Sequence, residues 1–312
     1  MFWACYGNIS QNSSSKIDTA YPTSQLPVAT RVVKHAGGET KIPVKPQRII
    51  TLHDSTILDP VLALGVKPIG VATYAPKQGV LFRGISDDQV TGIPQVGSAF
   101  QPSLERILML KPDLILGREY QQDIYNMLAN IAPTVLVDWK SFNSFQDNFR
   151  YIAQILGEDE QAKLVLNQYQ ERIQEFQCRM GKRLQEIEVS VIGFSGQNIK
   201  SFNSRDAVFN QVLDDLGIKR LPIQKNQKQR YLELSIEYLT EYDADVLFVI
   251  NESSTKPLSY LKNSIWSRLK AVQNKQIYEV DKGNWFAAGP LGVNKIIDDL
   301  FKYLVNSETT RP

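Results

Sequence analysis

An internal duplication limits the folds open to this chain more than any other feature. Ser103-Leu104-Glu105-Arg106-Ile107 leads to Lys111-Pro112-Asp113-Leu114-Ile115-Leu116, and Ser235-Ile236-Glu237-Tyr238-Leu239 leads to Asp243-Ala244-Asp245-Val246-Leu247-Phe248. The two stretches share one register without an insertion, so Glu105 and Glu237, like Asp113 and Asp245, stand 132 residues apart. In each copy the serine suits a helix N-cap, and the glutamate falls in the first turn, where the helix dipole favours negative charge. The short apolar run beyond the aspartate reads as a buried strand. Two more segments repeat. Val61 to Lys67 parallels Leu213 to Lys219, each a helix stopped by a glycine and running into a strand. Val135 to Asp138 parallels Ile277 to Asp281, each a strand ending in aspartate. Strands alternating with helices imply parallel α/β layers, one lobe for each copy.

Between the copies, Leu166, Tyr169, Ile173, Phe176, Met180, Leu184 and Ile187 recur at spacings of three and four. That period predicts a helix over about 159–187, roughly 40 Å long at the standard rise and long enough to join two lobes. Gly181 weakens its interior. Four regions result: an anchor and linker over 1–30, an N-terminal lobe over 31–157, the interlobe helix over 158–188 and a C-terminal lobe over 189–312.

Composition mainly excludes. Apolar residues make up 43%, charged residues 22%, and the formal charge is +2, with no unbroken basic block to suit nucleic acid. No run of eighteen apolar residues is present, so the sequence offers no membrane-spanning helix. Two cysteines, Cys5 and Cys178, and two histidines, His35 and His53, are too few for a structural zinc or multi-histidine metal site. The opening Met1-Phe2-Trp3-Ala4-Cys5 precedes a Ser-, Asn- and Pro-rich stretch that reads as a flexible linker. A lone cysteine in that setting, with Ala4 before it, resembles the lipidated cysteine of a bacterial lipoprotein; the alternative is an unmodified disordered tail. A Cys5–Cys178 disulfide is disfavoured, because Cys5 sits in the linker-like stretch.

Two α/β lobes joined by one long helix resemble the type III substrate-binding proteins of ABC importers for siderophores, haem and cobalamin. The likeness runs from about Gly37 onward. It is carried by Gly38-Glu39-Thr40-Lys41-Ile42-Pro43, Pro46-Gln47-Arg48-Ile49-Ile50, the segment Leu62 to Val71, and above all Pro102-Ser103-Leu104-Glu105-Arg106-Ile107 continuing to Ile115. The resemblance implies two Rossmann-like lobes with a ligand cleft between them. It also implies a tethered, monomeric carrier at the periplasm or cell surface, which hands its ligand to a permease driven by an ATPase. Carried over by motif, Glu105 and Glu237 are the glutamates, one on each lobe, that dock on permease arginines; otherwise they are ordinary first-turn glutamates.

In such folds the ligand lies at loops leaving the carboxyl ends of strands. The candidates there are His53, Arg83, Arg118, Tyr120, Trp139, Arg205, Trp285 and Phe286. Arginines with aromatics suit an iron(III)–siderophore complex, whose oxygens accept from guanidinium groups and whose organic shell packs on rings. The chelator already fills the iron's coordination sphere, so no resident cofactor and no protein metal ligand is expected. For any one candidate, the alternative is an arginine paired on the surface or an aromatic plugging its own lobe. Ser98-Ala99-Phe100 stands where related hydroxamate binders carry an arginine, which makes citrate-hydroxamate chelates more attractive than ferrichrome. Haem, with His53 as axial ligand, and cobalamin are the lesser alternatives. An α/β enzyme is the alternative from another class, but the sequence carries no Gly-x-Gly-x-x-Gly after the first strand, no Gly-x-Ser-x-Gly elbow and no Walker motif.

Overall fold

The computed structural model describes residues 29–74, 82–195, 198–202, 207–252 and 264–306. Two of the candidate residues, Cys5 and Arg205, lie outside them. The chain enters through a hairpin of β1 (Thr30–His35) and β2 (Gly38–Pro43). The first lobe is a six-stranded sheet of β3 (Ile49–Thr51), β4 (Gly70–Thr73), β5 (Gln95–Ser98), β6 (Gln101–Pro102), β7 (Leu114–Arg118) and β8 (Thr134–Val137). Its spatial order is β6-β5-β4-β3-β7-β8, parallel except for the β5–β6 pair. Every residue of β3, β4 and β7 is buried, as expected of central parallel strands covered by helices on both faces. β8 lies at the sheet's edge and is buried as well, with the Ala36 N–H of the entering hairpin donating to its Leu136 carbonyl.

The second lobe repeats this plan and then departs from it. It contains β9 (Glu188–Ser195), β10 (Asn198–Phe202), β11 (Lys219–Arg220), β12 (Tyr231–Leu234), β13 (Val246–Asn251) and β14 (Ile277–Val280). The parallel neighbours β11-β9-β13-β14 match β4-β3-β7-β8, so the duplicated motifs occupy equivalent places in equivalent sheets. The glycines that stop the helix in each copy, Gly65 and Gly217, both take left-handed backbone at φ +77 and +76. The departure lies along the outer edge of β9. There β9 pairs with β10, and β10 with β12, both antiparallel. The second sheet is therefore mixed rather than parallel.

The helices include α1 (Asp59–Ala63), α2 (Leu104–Met109), α3 (Phe145–Leu156), α4 (Asp159–Met180), α5 (Val208–Asp215) and α6 (Pro290–Leu300). The joining helix, α4, is 22 residues and about 33 Å long. It stops at Met180 instead of reaching 187, because Gly181 adopts φ +52 there; a separate turn, Arg183–Glu186, carries Leu184 onward. Its buried face is divided. Ala162, Val165 and Leu166 pack into the first lobe's core, whereas Tyr169, Ile173, Phe176 and Met180 belong to the second's. Phe145 at the start of α3 meets Tyr169 edge to face at 5.2 Å. No helix among the described residues is long and apolar enough to cross a membrane.

The lobes also meet beneath the cleft. Both carboxylate oxygens of Asp59, in the first turn of α1, accept backbone N–H groups of Leu291 and Gly292 at 2.9 Å, at the N-terminal end of α6. The approach is close because glycines line it. A Cβ on Gly289 would strike the Asp59 carboxyl, and one on Gly292 would strike Ala287.

Candidate functional site

The cleft between the lobes has a volume of about 580 Å³ and takes its lining equally from both. Its first-lobe residues lie at the carboxyl ends of the parallel strands. His53 follows β3, Tyr74 follows β4, Phe100 follows β5, Arg118 ends β7, and Trp139 and Lys140 follow β8. The second lobe contributes Lys200 and Phe202 from β10, Tyr231 from β12, and Glu252, Lys282 and Phe286 from segments following β13 and β14.

A single π-helical turn, Asp54–Leu58, organises the first lobe's wall, with His53 as its cap. Asp54 is fully buried beneath Arg83. Its Oδ2 accepts from the Arg83 backbone N–H and Nε at 2.9 Å each, and its Oδ1 accepts from Nη2 at 2.5 Å. Burial alone would raise the Asp54 carboxyl, but Arg83 outweighs it and holds the group down at about 2. Arg83 in turn lies 3.6 Å from the centre of the Tyr74 ring. Arg118 is held on two sides: Nη1 donates to Thr56 Oγ1 at 3.2 Å, while Nε and Nη2 donate to the two oxygens of Glu119 at 2.7 and 2.9 Å. Phe100 and Tyr120 stack at 5.3 Å in front of these groups, and Phe100 is 63% exposed.

His53 is buried and neutral: burial drives its pKa well below the ordinary imidazole value, Asp54 opposes this, and Arg83 and Arg118 add to it. Its Nδ1 lies 2.8 Å from Thr56 Oγ1 and its Nε2 3.2 Å from Arg83 Nη2. Both ring nitrogens are thus engaged, and neither is open to an axial metal bond. No group of three His, Cys, Asp or Glu residues that could hold a metal occurs among the described residues.

Charge gives the cleft its chemical character. Among the described residues, Arg83, Arg118, Lys140, Lys200, Arg230 and Lys282 face Glu119 and Glu252, with Asp54 below; six positive groups against three negative leave an excess of three. Lys200 and Glu252 pair at 3.3 Å. A cationic, aromatic-walled hollow of this size can enclose an anionic organic complex and reject a positive one.

Of the candidates named from the sequence, His53, Arg83, Arg118, Tyr120, Trp139 and Phe286 come together in this lining. Trp285 does not, and its assignment to the cleft is corrected. It is fully buried, packs on Phe209 and Phe248, and donates from Nε1 to Asp299 at 2.9 Å. In the one-turn helix Lys282–Trp285 its side faces the lobe's own core, and the next residue, Phe286, takes the cleft position. Glu105 and Glu237 are both exposed, each in the first turn behind Ser103 or Ser235, on opposite lobes. Arg230, Tyr231, Lys282, Phe100 and Glu119 were missed. Tyr231 enters through an edge strand whose pairing carries no local signal, and Arg230 directly precedes it.

A family model described as periplasmic binding protein matches residues 50–283. The chain is 32% identical over 295 residues to "Probable siderophore-binding lipoprotein YfiY" of Bacillus subtilis (strain 168), with 89% of each chain covered. It is 30% identical over 261 residues to the Fe(3+)-citrate-binding protein YfmC of the same organism, covering 82% of this chain and 80% of that one. Among solved structures, Staphylococcus aureus SirA complexed with staphyloferrin B aligns at a TM-score of 0.74 and 29% identity, covering 88% of this chain and 98% of that one. Since the family match runs through both copies of the duplication and the helix between them, the chain belongs to the periplasmic binding protein family.

Proposed function

We propose that this protein is the substrate-binding component of an ABC importer, which captures a ferric siderophore between its lobes and delivers it unchanged to a membrane permease. The observation that carries this reading is the cleft: about 580 Å³, shared by two lobes and lined by cations and rings. Relatives named for siderophore and Fe(3+)-citrate binding, and a neighbour solved with staphyloferrin B, support the same ligand class. A chelated iron brings its own ligands, so the site needs guanidinium and aromatic groups and no resident cofactor. The engaged nitrogens of His53 count against both an axial haem bond and a general base, so carrier is preferred over haem protein or enzyme. A lipid on Cys5 would tether the carrier, as a monomer, beside its importer and raise its effective concentration there.

Titration of intrinsic tryptophan fluorescence tests the ligand class, with Trp139 in the cleft wall as reporter. The panel holds ferric citrate, a ferric citrate-hydroxamate, ferrichrome, ferrioxamine B, a ferric catecholate, haem and cobalamin. Saturable quenching by a ferric siderophore is expected, weakened about tenfold or more by Arg118→Ala, since a hydrogen bond to a charged group contributes about 1.5–3 kcal/mol. Silence across the panel from folded protein would sink the reading.

Docking supplies a second expectation. Glu105→Ala combined with Glu237→Ala removes two exposed carboxylates that take no part in the cleft lining. Chelate affinity should stay within about twofold of wild type, the range usual for surface substitutions, while uptake by cells carrying the variant stops. Normal uptake would remove the docking role and leave both residues as helix-end glutamates.

A further inference from the structure

The two cleft arginines have carboxylate partners of different kinds. Asp54 is fully buried and also accepts the Arg83 backbone N–H, so this pair is a fixed part of the wall. Glu119 adjoins Arg118 in the chain, lines the cleft and keeps 23% of its side chain exposed. It fills the Nε–Nη2 edge of the guanidinium, an edge suited to a two-bond fork with a ligand carboxylate. Arg118 does not depend on this partner for its position, because Nη1 is tied from the other side to Thr56 Oγ1. A ligand carboxylate that approaches this edge of Arg118 meets an acceptor already in place.

We propose that Glu119 is a built-in surrogate for the ligand: its carboxylate holds the Arg118 fork until a carboxylate of the incoming chelate takes its place. This inference rests on the siderophore reading and narrows it to chelates with acidic groups to spare. Exchange of one carboxylate for another leaves the number of bonds at the fork unchanged. The incoming anion is then favoured by the cationic excess of the lining, to which Lys140, Arg230 and Lys282 contribute. A ligand without an anionic group has nothing to exchange, and leaves Glu119 where it is. The residue thus sets a charge requirement at the fork: only a ligand that brings its own carboxylate can displace it, at a modest cost to that ligand. Glu119 also accepts the backbone N–H of Trp139. Glutamine keeps an acceptor for that bond while removing the charge, which makes Glu119→Gln the informative variant.

Isothermal titration of wild type and Glu119→Gln with ferric citrate, and with ferrioxamine B as a hydroxamate that carries positive charge, tests the proposal. The variant is expected to bind ferric citrate about tenfold more tightly, within the usual range for coupling between two groups at one site, with ferrioxamine B binding unchanged or weaker. Equal weakening of both would show that Glu119 merely orients Arg118 and overturns the proposal, as would unchanged affinity for both. Glu119→Ala gives the same readings should glutamine hold the fork through its amide oxygen. If wild type binds ferrioxamine B alone and neither variant alters it, the surrogate role fails and the siderophore reading stands. If folded wild type binds no chelate of the wider panel, both fall together.

Discussion

Asp54→Ala is expected to lower the stability of the folded chain by about 3 kcal/mol and to remove measurable chelate binding. The substitution deletes three acceptor contacts at once and leaves the Arg83 guanidinium, only 15% exposed, without a counter-charge. Removing one member of a buried ion pair costs about 3–5 kcal/mol, because the surviving charge stays desolvated; the cleft beside Arg83 admits some water, which places the estimate at the low end. Binding suffers for a separate reason. Arg83 packs over Tyr74 and meets His53 Nε2, and His53 in turn meets the Thr56 hydroxyl that holds Arg118. With Asp54 gone, one whole wall of the cleft loses its positions. Asp54 is held at about 2, below its unfolded value, so its contribution is complete above about pH 4 and disappears as pH falls toward 2. Chemical denaturation of wild type and variant at neutral pH gives the difference directly. A loss under about 1 kcal/mol would mean that Arg83 simply swings into solvent and that the pair is no part of the wall.

The duplication makes much of the fold legible in the sequence. A Ser-x-Glu turn, a gap and an apolar run are local features, and they recur because each lobe builds the same β3-β7-β8 or β9-β13-β14 unit. The strand ends also gave the right neighbourhood for His53, Arg118 and Trp139, because a parallel sheet sends all its carboxyl ends to one edge. What stayed hidden depends on contacts far apart in sequence. The antiparallel pairing of β10 with β9 and with β12 made the second sheet mixed, and no periodicity distinguishes such a strand from a parallel one. Trp285 and Phe286 are adjacent aromatics after the same strand, and only the facing of a one-turn helix sends one to the core and the other to the cleft. Gly181 was readable as a weak point; that it would end the helix was not, because its φ of +52 is a property of the folded turn. Asp59 gave no signal at all. An Asp-Pro pair at the start of a short helix looks like ordinary N-terminal chemistry, and its partners are more than 230 residues away.

That hidden aspartate yields the second large effect: Asp59→Asn is expected to gain stability relative to wild type as pH rises from about 4 to 8. Asp59 is wholly buried where the two lobes touch. Burial pushes its carboxyl up to about 7, against the lowering pull of the Gly292 and Leu291 N–H groups; Asp54 nearby pushes it further up and Lys295 draws it down. A folded-state value above the unfolded one means that the native joint holds the proton more tightly. Its contribution is therefore full below about pH 4 and is lost as pH rises through 7. His53 works the other way, since its folded value lies well below 6.5, so its contribution is present above that and lost in acid. The two oppose each other between about pH 4 and 6.5, and the wild-type profile alone cannot separate them. The difference between variant and wild type cancels His53. At about pH 4 the asparagine should be about 1–3 kcal/mol less stable, since its amide nitrogen faces one backbone N–H where an oxygen stood. By about pH 8 that gap should close by roughly 2–4 kcal/mol, because only the aspartate has had to ionise in place. Thermal melts of both proteins across this range measure the trend. A gap that widens with pH would mean that the start of α6 welcomes the charged carboxylate, and that the lobes are held together by an ion at a helix end, strengthening rather than loosening as the medium turns alkaline.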